Sequence, residues 1–512
     1  MIEVNPTRFK LEPWNHQLQG VRDLVNHPIF ALWWEMRLGK TGTVINAACV
    51  LHEAELLDTL VIACPAQVKD VWLDRELGEI NKHCYVPFSV LNYDVGKEEF
   101  IELFVDSLAG LKFIVTSVEF LRQTNAQEKF EKAVRLHKAV TGLKWMFVLD
   151  EASVVANYKA LQTRACELLR EDAPRVVLLD GTPVGNSNTD LYSKFHMLAP
   201  WILGYDNYFH FRAVHCKLEN QIIWTKAKGK AAVKKLVSKV CGFQKLDIIT
   251  RKGAPYCSRL EQKDCLDMPE KIPEFLTVNL SAKTWKVYCQ MRDTMIADLD
   301  SGRLAVQHAA SKSLRLAQIC AGFLGGFTND LTEETEVREL SDESTKAIVE
   351  WIAARRLERP DFKAVIYCRW RPEITRLIGL LAGVVPTAYK YGGNEFGLEW
   401  FHPDTQHTTG ALLVAQPQAT RYGYNFSRAD TVVYLSSDYD RVTRSQSLER
   451  VQASKEQLAR IGIQRQHILV LEVLVCGPKG EHTITWDIKR SIDTKETVAN
   501  RTVAQWKRAL EE

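Results

Sequence analysis

The chain has 512 residues, of which 46% are hydrophobic and 25% charged, and a formal net charge of +3. That length and balance predict two or three globular domains with full cores, and they exclude a disordered polyelectrolyte. A charge so close to zero provides no global field for a polyanion, so contact with nucleic acid has to come from local patches. The 12 cysteines are scattered without a Cys-x-x-Cys pair and read as reduced, mostly buried thiols. Cys216, Cys241, Cys257 and Cys265 share one region with His215, but their spacing is too irregular for a zinc site. Met1 to Lys10 has no apolar signal core, and no apolar run reaches membrane length. The expectation is a cytoplasmic protein with no membrane partner.

In chain order, the first strong signal is Phe30-Ala-Leu-Trp-Trp34, a continuous apolar run that predicts a buried strand. Glu35-Met-Arg-Leu-Gly-Lys-Thr41 follows, and Thr43 to Glu53 reads as the start of a helix. Backbone N–H groups at a helix N-terminus lack helical partners and attract phosphate. Gly39 would give the turn, Lys40 would reach the β- and γ-phosphates, and the Thr41 hydroxyl would ligate Mg2+. The full phosphate-loop pattern has a glycine five residues before Gly39, where this chain has Trp34. Weight therefore rests on a second motif. After the strand Trp145-Met-Phe-Val-Leu149 stand Asp150 and Glu151, one carboxylate to hold hydrated Mg2+ and one to orient the attacking water. A third, Leu179-Asp-Gly-Thr-Pro183, follows the run Val176 to Leu179 and would link nucleotide to polymer.

Further strands are predicted at Thr59 to Cys64, Pro87 to Leu91 and Phe113 to Thr116, with helix-permissive segments between. Buried parallel strands read as unbroken apolar runs, so residues 1–200 form a doubly wound α/β lobe. A second set at Ala364 to Cys368, Thr387 to Tyr391, Ala411 to Val414, Thr431 to Leu435 and Ile468 to Val475 predicts another, over 342–512. Between them, 201–341 reads as lysine-rich and largely helical, with a hairpin near Cys216 to Thr225. Lys226, Lys228, Lys230, Lys234, Lys235, Lys239 and Lys245 make the most basic cluster. Such runs are either solvated faces or trackers of a phosphate backbone. Trp33, Trp34 and Trp145 lie in apolar runs and read as core rather than as base-stacking platforms.

Two such lobes with these motifs resemble the superfamily-two helicases and translocases, and within them the Swi/Snf-like branch, over nearly the whole chain. Leu11-Glu-Pro-Trp-Asn-His-Gln17 resembles the adenine-reading motif, which implies a nucleotide contact for Gln17. Cys64-Pro65 with Val71-Trp72, and then Thr116-Ser117, are similar to the branch's first DNA-contact segments. Leu179-Asp-Gly-Thr-Pro-Val-Gly-Asn186 is close to its Thr-Gly-Thr-Pro-x-x-Asn motif, implying a DNA role for Thr182. Gly423-Tyr-Asn-Phe-Ser-Arg-Ala-Asp430 resembles its Gly-Leu-Asn-Leu-x-x-Ala-Asp motif, and Gln446-Ser-Leu-Glu-Arg450 its last motif. By that resemblance Gly423 and Gln446 meet nucleotide, Asn425 meets DNA, and Arg450 is the finger that completes the ATP site from the second lobe. The compact size and the Met-Arg-Leu-Gly-Lys-Thr wording look most like phage-encoded members.

The resemblance implies two RecA-like lobes and an ATPase, with ATP and Mg2+ as cofactors, that moves along double-stranded DNA. Lys234, Lys235 and Lys239 become candidate DNA contacts in that frame. A strand-separating helicase acting on forked DNA is the rival enzyme, and a nucleotide-gated DNA clamp with weak turnover is the rival binding protein. No nuclease or methyltransferase cluster is fused to the motor, so a cutting or replication partner would be a separate chain. Departures from the branch pattern are specific. Arg37 replaces a glycine in the loop, Ser153 a frequent histidine, and Ala453 the second arginine of the last motif. Arg444 is the alternative finger, with a solvated helix-start residue as its plainer reading.

Overall fold

The computed structural model describes the chain except residues 1, 75, 77, 96–109, 125–127, 182–187, 226–232, 300–301, 306–308, 329–334, 404, 406–408, 421–423 and 512. It divides into two compact units, Met1–Cys265 with Thr497–Glu512, and Leu266–Glu496.

Unit 1 is built on the strands β1 (Ile29–Trp34), β2 (Thr59–Cys64), β3 (Phe88–Asn92), β4 (Leu111–Ser117), β5 (Trp145–Leu149) and β6 (Arg175–Leu179). An antiparallel ribbon, β7 (Cys216–Thr225) and β8 (Val233–Phe243), comes next, and β9 (Cys257–Leu260) then rejoins the sheet. The sheet order is β3-β4-β2-β5-β6-β1-β9, with every pair parallel. Both faces are covered, so the strands need apolar side chains throughout, and β2 and β5 are buried at every position. Trp33, Trp34 and Trp145 are core, as their runs predict. Parallel strands point their carboxyl ends to one edge, where the turns into the helices form the crevice of such folds.

In unit 2, β10 (Glu270–Asn279) opens a chain segment that holds two short ribbons, β11 (Ile296–Leu299) with β12 (Gly302–Ala305) and β13 (Phe323–Thr328) with β14 (Thr335–Glu339). The second doubly wound sheet adds β15 (Lys363–Tyr367), β16 (Thr387–Tyr391), β17 (Asn394–Phe396), β18 (Ala411–Ala415), β19 (Thr431–Tyr434) and β20 (His467–Cys476). Its order is β10-β20-β19-β15-β18-β16-β17, parallel except for the last pair. The α/β class with two doubly wound, mainly parallel sheets is therefore as the apolar runs predict. The stretch 201–341 is shared between the two units and, among the described residues, holds eight strands or ribbon arms besides its helices. The expected hairpin is present, with Cys216–Thr225 forming its first arm only. β10 escapes a hydropathy reading because it is an edge strand with most positions exposed.

Candidate functional site

Unit 1 forms its cradle where β1 turns into the helix Lys40–Glu53. Two residues of the turn are left-handed, Arg37 with φ 63° and Gly39 with φ 77°. The positive φ favours glycine at position 39, and a Cβ there would fall 2.0 Å from Gln17 Nε2 and push that side chain aside. Gln17 lies in the helix Asn15–Asn26, whose Gly20 presses against the Trp34 ring. Its amide nitrogen donates to the Leu38 carbonyl at 3.2 Å, its amide oxygen accepts from the Trp14 N–H at 3.0 Å, and His16 Nε2 meets the same Leu38 carbonyl at 3.0 Å. Burial pushes the His16 imidazole below its ordinary value. Lys40 folds back over the turn and donates to the carbonyls of Trp34 at 2.8 Å and Glu35 at 3.3 Å.

Residues from far along the chain hold the other side of this turn. β9 runs parallel to β1, and Glu35 N–H donates to the Leu260 carbonyl at 3.0 Å. Arg259 is buried; its guanidinium donates to the carbonyls of Trp33 at 2.7 Å and Gly181 at 3.0 Å, and pairs with Glu35 at 3.5 Å. Gln262 donates twice to the turn, its N–H to the Glu35 carboxylate at 2.8 Å and its side-chain amide to the Met36 carbonyl at 2.9 Å. None of these residues is legible in the sequence, because a four-residue strand after a ribbon carries no period to read.

At the ends of β5 and β6 lie the acids. Asp150 is buried; it accepts from Trp72 Nε1 at 3.0 Å and from the Glu151 N–H at 3.0 Å. Burial raises its carboxyl above the ordinary range, Asp180 adds to the shift, and Trp72 and the Lys40 ammonium oppose it. Glu151 is buried and left-handed, with φ 54°, a strained conformation for a side chain this large. Asp180, which opens the third motif, forms a fully buried ion pair with Lys194 at 2.6 Å. Removing either partner would leave an uncompensated charge in the core, at a cost of about 3–5 kcal/mol. Thr41 stands half-buried in the first turn of the helix. Lys40, Thr41, Asp150 and Glu151 thus share one edge of one sheet, although more than a hundred residues separate the pairs in sequence.

Three candidate DNA contacts of unit 1, Pro65, Thr116 and Ser117, sit along the same edge. Pro65 is buried at the end of β2. Thr116 and Ser117, at the end of β4, are buried, and their hydroxyls donate to Asp94 at 2.9 and 2.6 Å. Asp94 also pairs with Lys69 at 2.7 Å. These hydroxyls therefore organise a turn by way of Asp94, which the sequence does not signal. Thr182 lies outside the described residues. Lys234, Lys235 and Lys239 lie on β8 opposite Trp224, Ile223 and Glu219; their side chains are outside the description, and Lys226 to Lys230 are outside it altogether. The cysteines near His215 make no metal cluster among the described residues.

In unit 2, Gly423 lies outside the described residues. Asn425 accepts from the Ser427 N–H at 3.2 Å. Gln446 is buried in the helix Arg441–Glu449, and Arg450 caps that helix. Phe426 N–H donates to the Arg450 carbonyl at 2.8 Å, and Arg450 Nη1 reaches the Tyr424 carbonyl at 3.5 Å, which ties the last two motifs together. The Ser447 carbonyl of this helix accepts from the Tyr367 hydroxyl at 3.0 Å, and the Arg444 carbonyl from the Tyr434 hydroxyl at 3.1 Å. Arg444 is not a solvated helix-start residue: it pairs with Glu472 at 2.5 Å and lies 3.8 Å over the Tyr434 ring. Ala453 is buried in the turn beyond this helix, so a three-residue spacing from Arg450 does not put both on one helical face. An arginine at 453 would be a buried cation rather than a second finger.

The donor set in unit 1 suits the phosphates and magnesium that the motifs imply. A buried acid with a raised carboxyl and a lysine as its attracting cation is the chemistry that a divalent cation completes. Lys40 and the N–H groups opening its helix supply donors for phosphate.

Against known families, the SNF2-related domain matches residues 28–322, more than half of the chain. The chain belongs to the SNF2-related family. Among curated SNF2-related relatives, Arabidopsis thaliana TATA-binding protein-associated factor BTAF1 is 25% identical over 56% of this chain, but only 13% of its own length is covered. The Arabidopsis chromatin-remodeling ATPase INO80 is 27% identical over 40% of this chain and 13% of its own. The chain thus spans only a small part of these two proteins. Protein p41 of Acyrthosiphon pisum secondary endosymbiont phage 1 is 22% identical over 88% of this chain and 90% of its own. The Sulfolobus solfataricus SWI2/SNF2 ATPase core in complex with dsDNA superposes with a TM-score of 0.41 at 18% identity, over 93% of this chain and 90% of its own. Among the described residues no helix is long and apolar enough to cross a membrane.

Proposed function

We propose that this SNF2-related chain is a DNA-dependent ATPase that moves along duplex DNA. The observation that carries the reading is the gathering of Lys40, Thr41, Asp150 and Glu151 at one sheet edge, in a chain whose family model spans these motifs. In this reading ATP and Mg2+ bind at that edge. Lys40 leaves the carbonyls of Trp34 and Glu35 for the β- and γ-phosphates, and the charge of phosphate replaces two neutral acceptors. Thr41 and Asp150 hold Mg2+, and Glu151 orients the attacking water. Gln17, Gly39, Gly423 and Gln446 complete the nucleotide contacts, and Arg450 of unit 2 supplies the finger. Mg2+ neutralises charge on the phosphates; the chain's own part is to position them and to exclude competing water.

Duplex DNA would meet Pro65, Thr116, Ser117 and Thr182 in unit 1, Asn425 in unit 2, and the lysines of β8. Contacts of this kind read the backbone and not the bases, as a motor that tracks any sequence requires. Steady-state phosphate release with no DNA and with single-stranded, duplex and forked DNA tests the reading. Stimulation by plain duplex supports it, and release that ignores DNA overturns it. Triplex displacement without strand separation marks translocation. The ribbon of β7 and β8 supports the helicase reading, since a long hairpin can act as a wedge. Ala453 supports the weakly turning clamp, for which ATP-dependent DNA retention without hydrolysis is the expected result. Its partners would then include a separate nuclease or replication protein.

A further inference from the structure

Cys49 lies in the helix Lys40–Glu53, about two turns beyond the phosphate loop. The short helix Glu79–His83 packs across it and is followed at once by Cys84. The approach is close: a Cβ on Gly42 would fall 2.6 Å from the His83 ring. Beneath that contact the sulfurs of Cys49 and Cys84 lie 3.5 Å apart, both thiols buried. The neighbouring Cys84 thiol first of all, and the backbone N–H groups of Tyr85 and Val86, favour charge on Cys49 and lower it below the usual thiol range, against burial and Glu53. The second proton is harder to remove, because Cys84 then faces a charged neighbour in a desolvated place.

We propose that Cys49 and Cys84 are a redox modification site, a dithiol that peroxide converts to a disulfide stapling the phosphate-loop helix to the helix Glu79–His83. The Cys49 thiol gives up its proton, its sulfur attacks one oxygen of hydrogen peroxide, the O–O bond breaks, and the leaving hydroxide takes up that proton as the first water. Cys49 is then a sulfenic acid. The Cys84 sulfur attacks the Cys49 sulfur, the S–O bond breaks, and the departing hydroxide takes the Cys84 proton as the second water. Two thiols have given two electrons to one peroxide. The sulfurs close from 3.5 Å to a bond of about 2.0 Å. That closure draws His83 further onto Gly42, next to Thr41 and Lys40, and deforms the first turn of the loop helix. This consequence rests on the ATP-binding reading of the loop; the dithiol itself does not. Burial makes the reaction slow, because peroxide has to wait for local opening of a five-residue helix.

The test uses the full chain, reduced, desalted and exposed to hydrogen peroxide, then denatured, alkylated and mapped without reductant. The expected product is a peptide pair linked through Cys49 and Cys84, lighter by two hydrogens and reopened by dithiothreitol. Cys84→Ser should stop at a Cys49 sulfenic acid that dimedone traps, and Cys49→Ser should leave Cys84 as a free thiol. Cys84→Ala serves if the serine variant fails to fold. Wild type in which both thiols stay alkylatable while exposed Cys241 is oxidised would overturn the site. Binding of a fluorescent ATP analogue should weaken about tenfold on oxidation and recover on reduction; unchanged binding by the mapped disulfide would overturn the coupling to the loop. A reduced protein that binds no nucleotide counts against the proposed function, and the peptide map still decides the dithiol.

Discussion

The carboxyl edge of the unit 1 sheet and that of the unit 2 sheet each bury an acid, in opposite company. Asp150 has an indole and a backbone N–H as partners and the Lys40 ammonium as its attracting charge. Glu373, in the helix Arg371–Leu381, accepts from the Ser436 hydroxyl at 2.5 Å, and burial pushes its carboxyl up to about 7. Ser436 in turn accepts from the Arg369 N–H at 2.8 Å, so the acid fixes the turns that end β15 and β19. The same architecture thus holds one acid in surroundings that await a cation and one in surroundings that tolerate it neutral. In the proposed function the phosphate chemistry draws on the first edge, with Arg450 as the second unit's contribution, while Glu373 positions turns of the second. This division of labour can be broken at four places.

The largest effect belongs to unit 1. Lys40→Ala should abolish phosphate release, and Glu151→Gln should keep nucleotide binding while losing turnover by on the order of a thousandfold or more. Near-normal steady-state release by purified Glu151→Gln would remove the assignment of that acid. A surface acid would show only a small change in stability on the same substitution.

Next comes the finger. Arg450→Ala should slow hydrolysis by about a thousandfold and leave nucleotide binding to unit 1 intact, because a finger acts on charge developing in the transition state. Arg450→Lys should rescue only in part, since an ammonium lacks the planar fork. Arg444→Ala should instead lower the melting temperature, because it removes the 2.5 Å partner of a mostly buried Glu472 and leaves it only Lys489 at 3.8 Å. Pre-steady-state rates beside thermal melts separate the two. Wild-type hydrolysis by Arg450→Ala with a dead Arg444→Ala would move the finger to the start of the helix.

Unit 2 should carry a pH dependence through Glu373. Its folded value near 7 lies above the ordinary 4.5, so the native state holds a proton that the unfolded chain releases. The stability is fully present below about pH 4.5 and is lost as pH rises through about 7. The shift corresponds to roughly 3 kcal/mol. Glu373→Gln should flatten that part of the denaturation profile and narrow the gap to wild type at low pH. A wild-type profile no steeper than that of the variant between these values would mean that Glu373 is charged in the fold.

The motifs of the two edges were legible because each follows an apolar run: Phe30–Trp34 before Lys40, Trp145–Leu149 before Asp150, Thr431–Leu435 before the helix of Gln446. An apolar run predicts a buried parallel strand, and a parallel strand fixes which edge its next residue joins. What holds those residues was not legible. Trp72 to Asp150, Lys194 to Asp180, Asp94 to Thr116 and Ser117, and Tyr367 to the Ser447 carbonyl join segments whose separation carries no period. The break after Arg450 was missed for a related reason. The motif spacing puts Ala453 three residues after Arg450, one helical turn on, but the helix ends at Glu449 and Ser454 caps the next one through the Gln457 N–H. β10 was missed because an exposed edge strand has no apolar run.

The smallest effect tests whether the phosphate loop depends on these distant braces. Gln262 holds the Met36 carbonyl with its side chain at 2.9 Å, and Glu35 with its backbone at 2.8 Å. Gln262→Ala removes only the first, leaving a part-buried carbonyl without that donor in a turn where Arg37 and Gly39 are already left-handed. Such a lost bond costs about 1 kcal/mol, part of it in overall stability and part in freeing the turn from its phosphate-ready shape. Nucleotide affinity should therefore fall by about fivefold, with the rate at saturating ATP nearly unchanged, because the brace shapes the ground state and touches no reacting atom. Gln262→Glu should do worse, since it replaces the amide donor with a carboxylate facing Glu35 and the Met36 carbonyl. A fall in the saturated rate without a change in affinity would place Gln262 among the groups that act in the transition state, and the loop would then owe its shape to Arg259 and the β1 register alone.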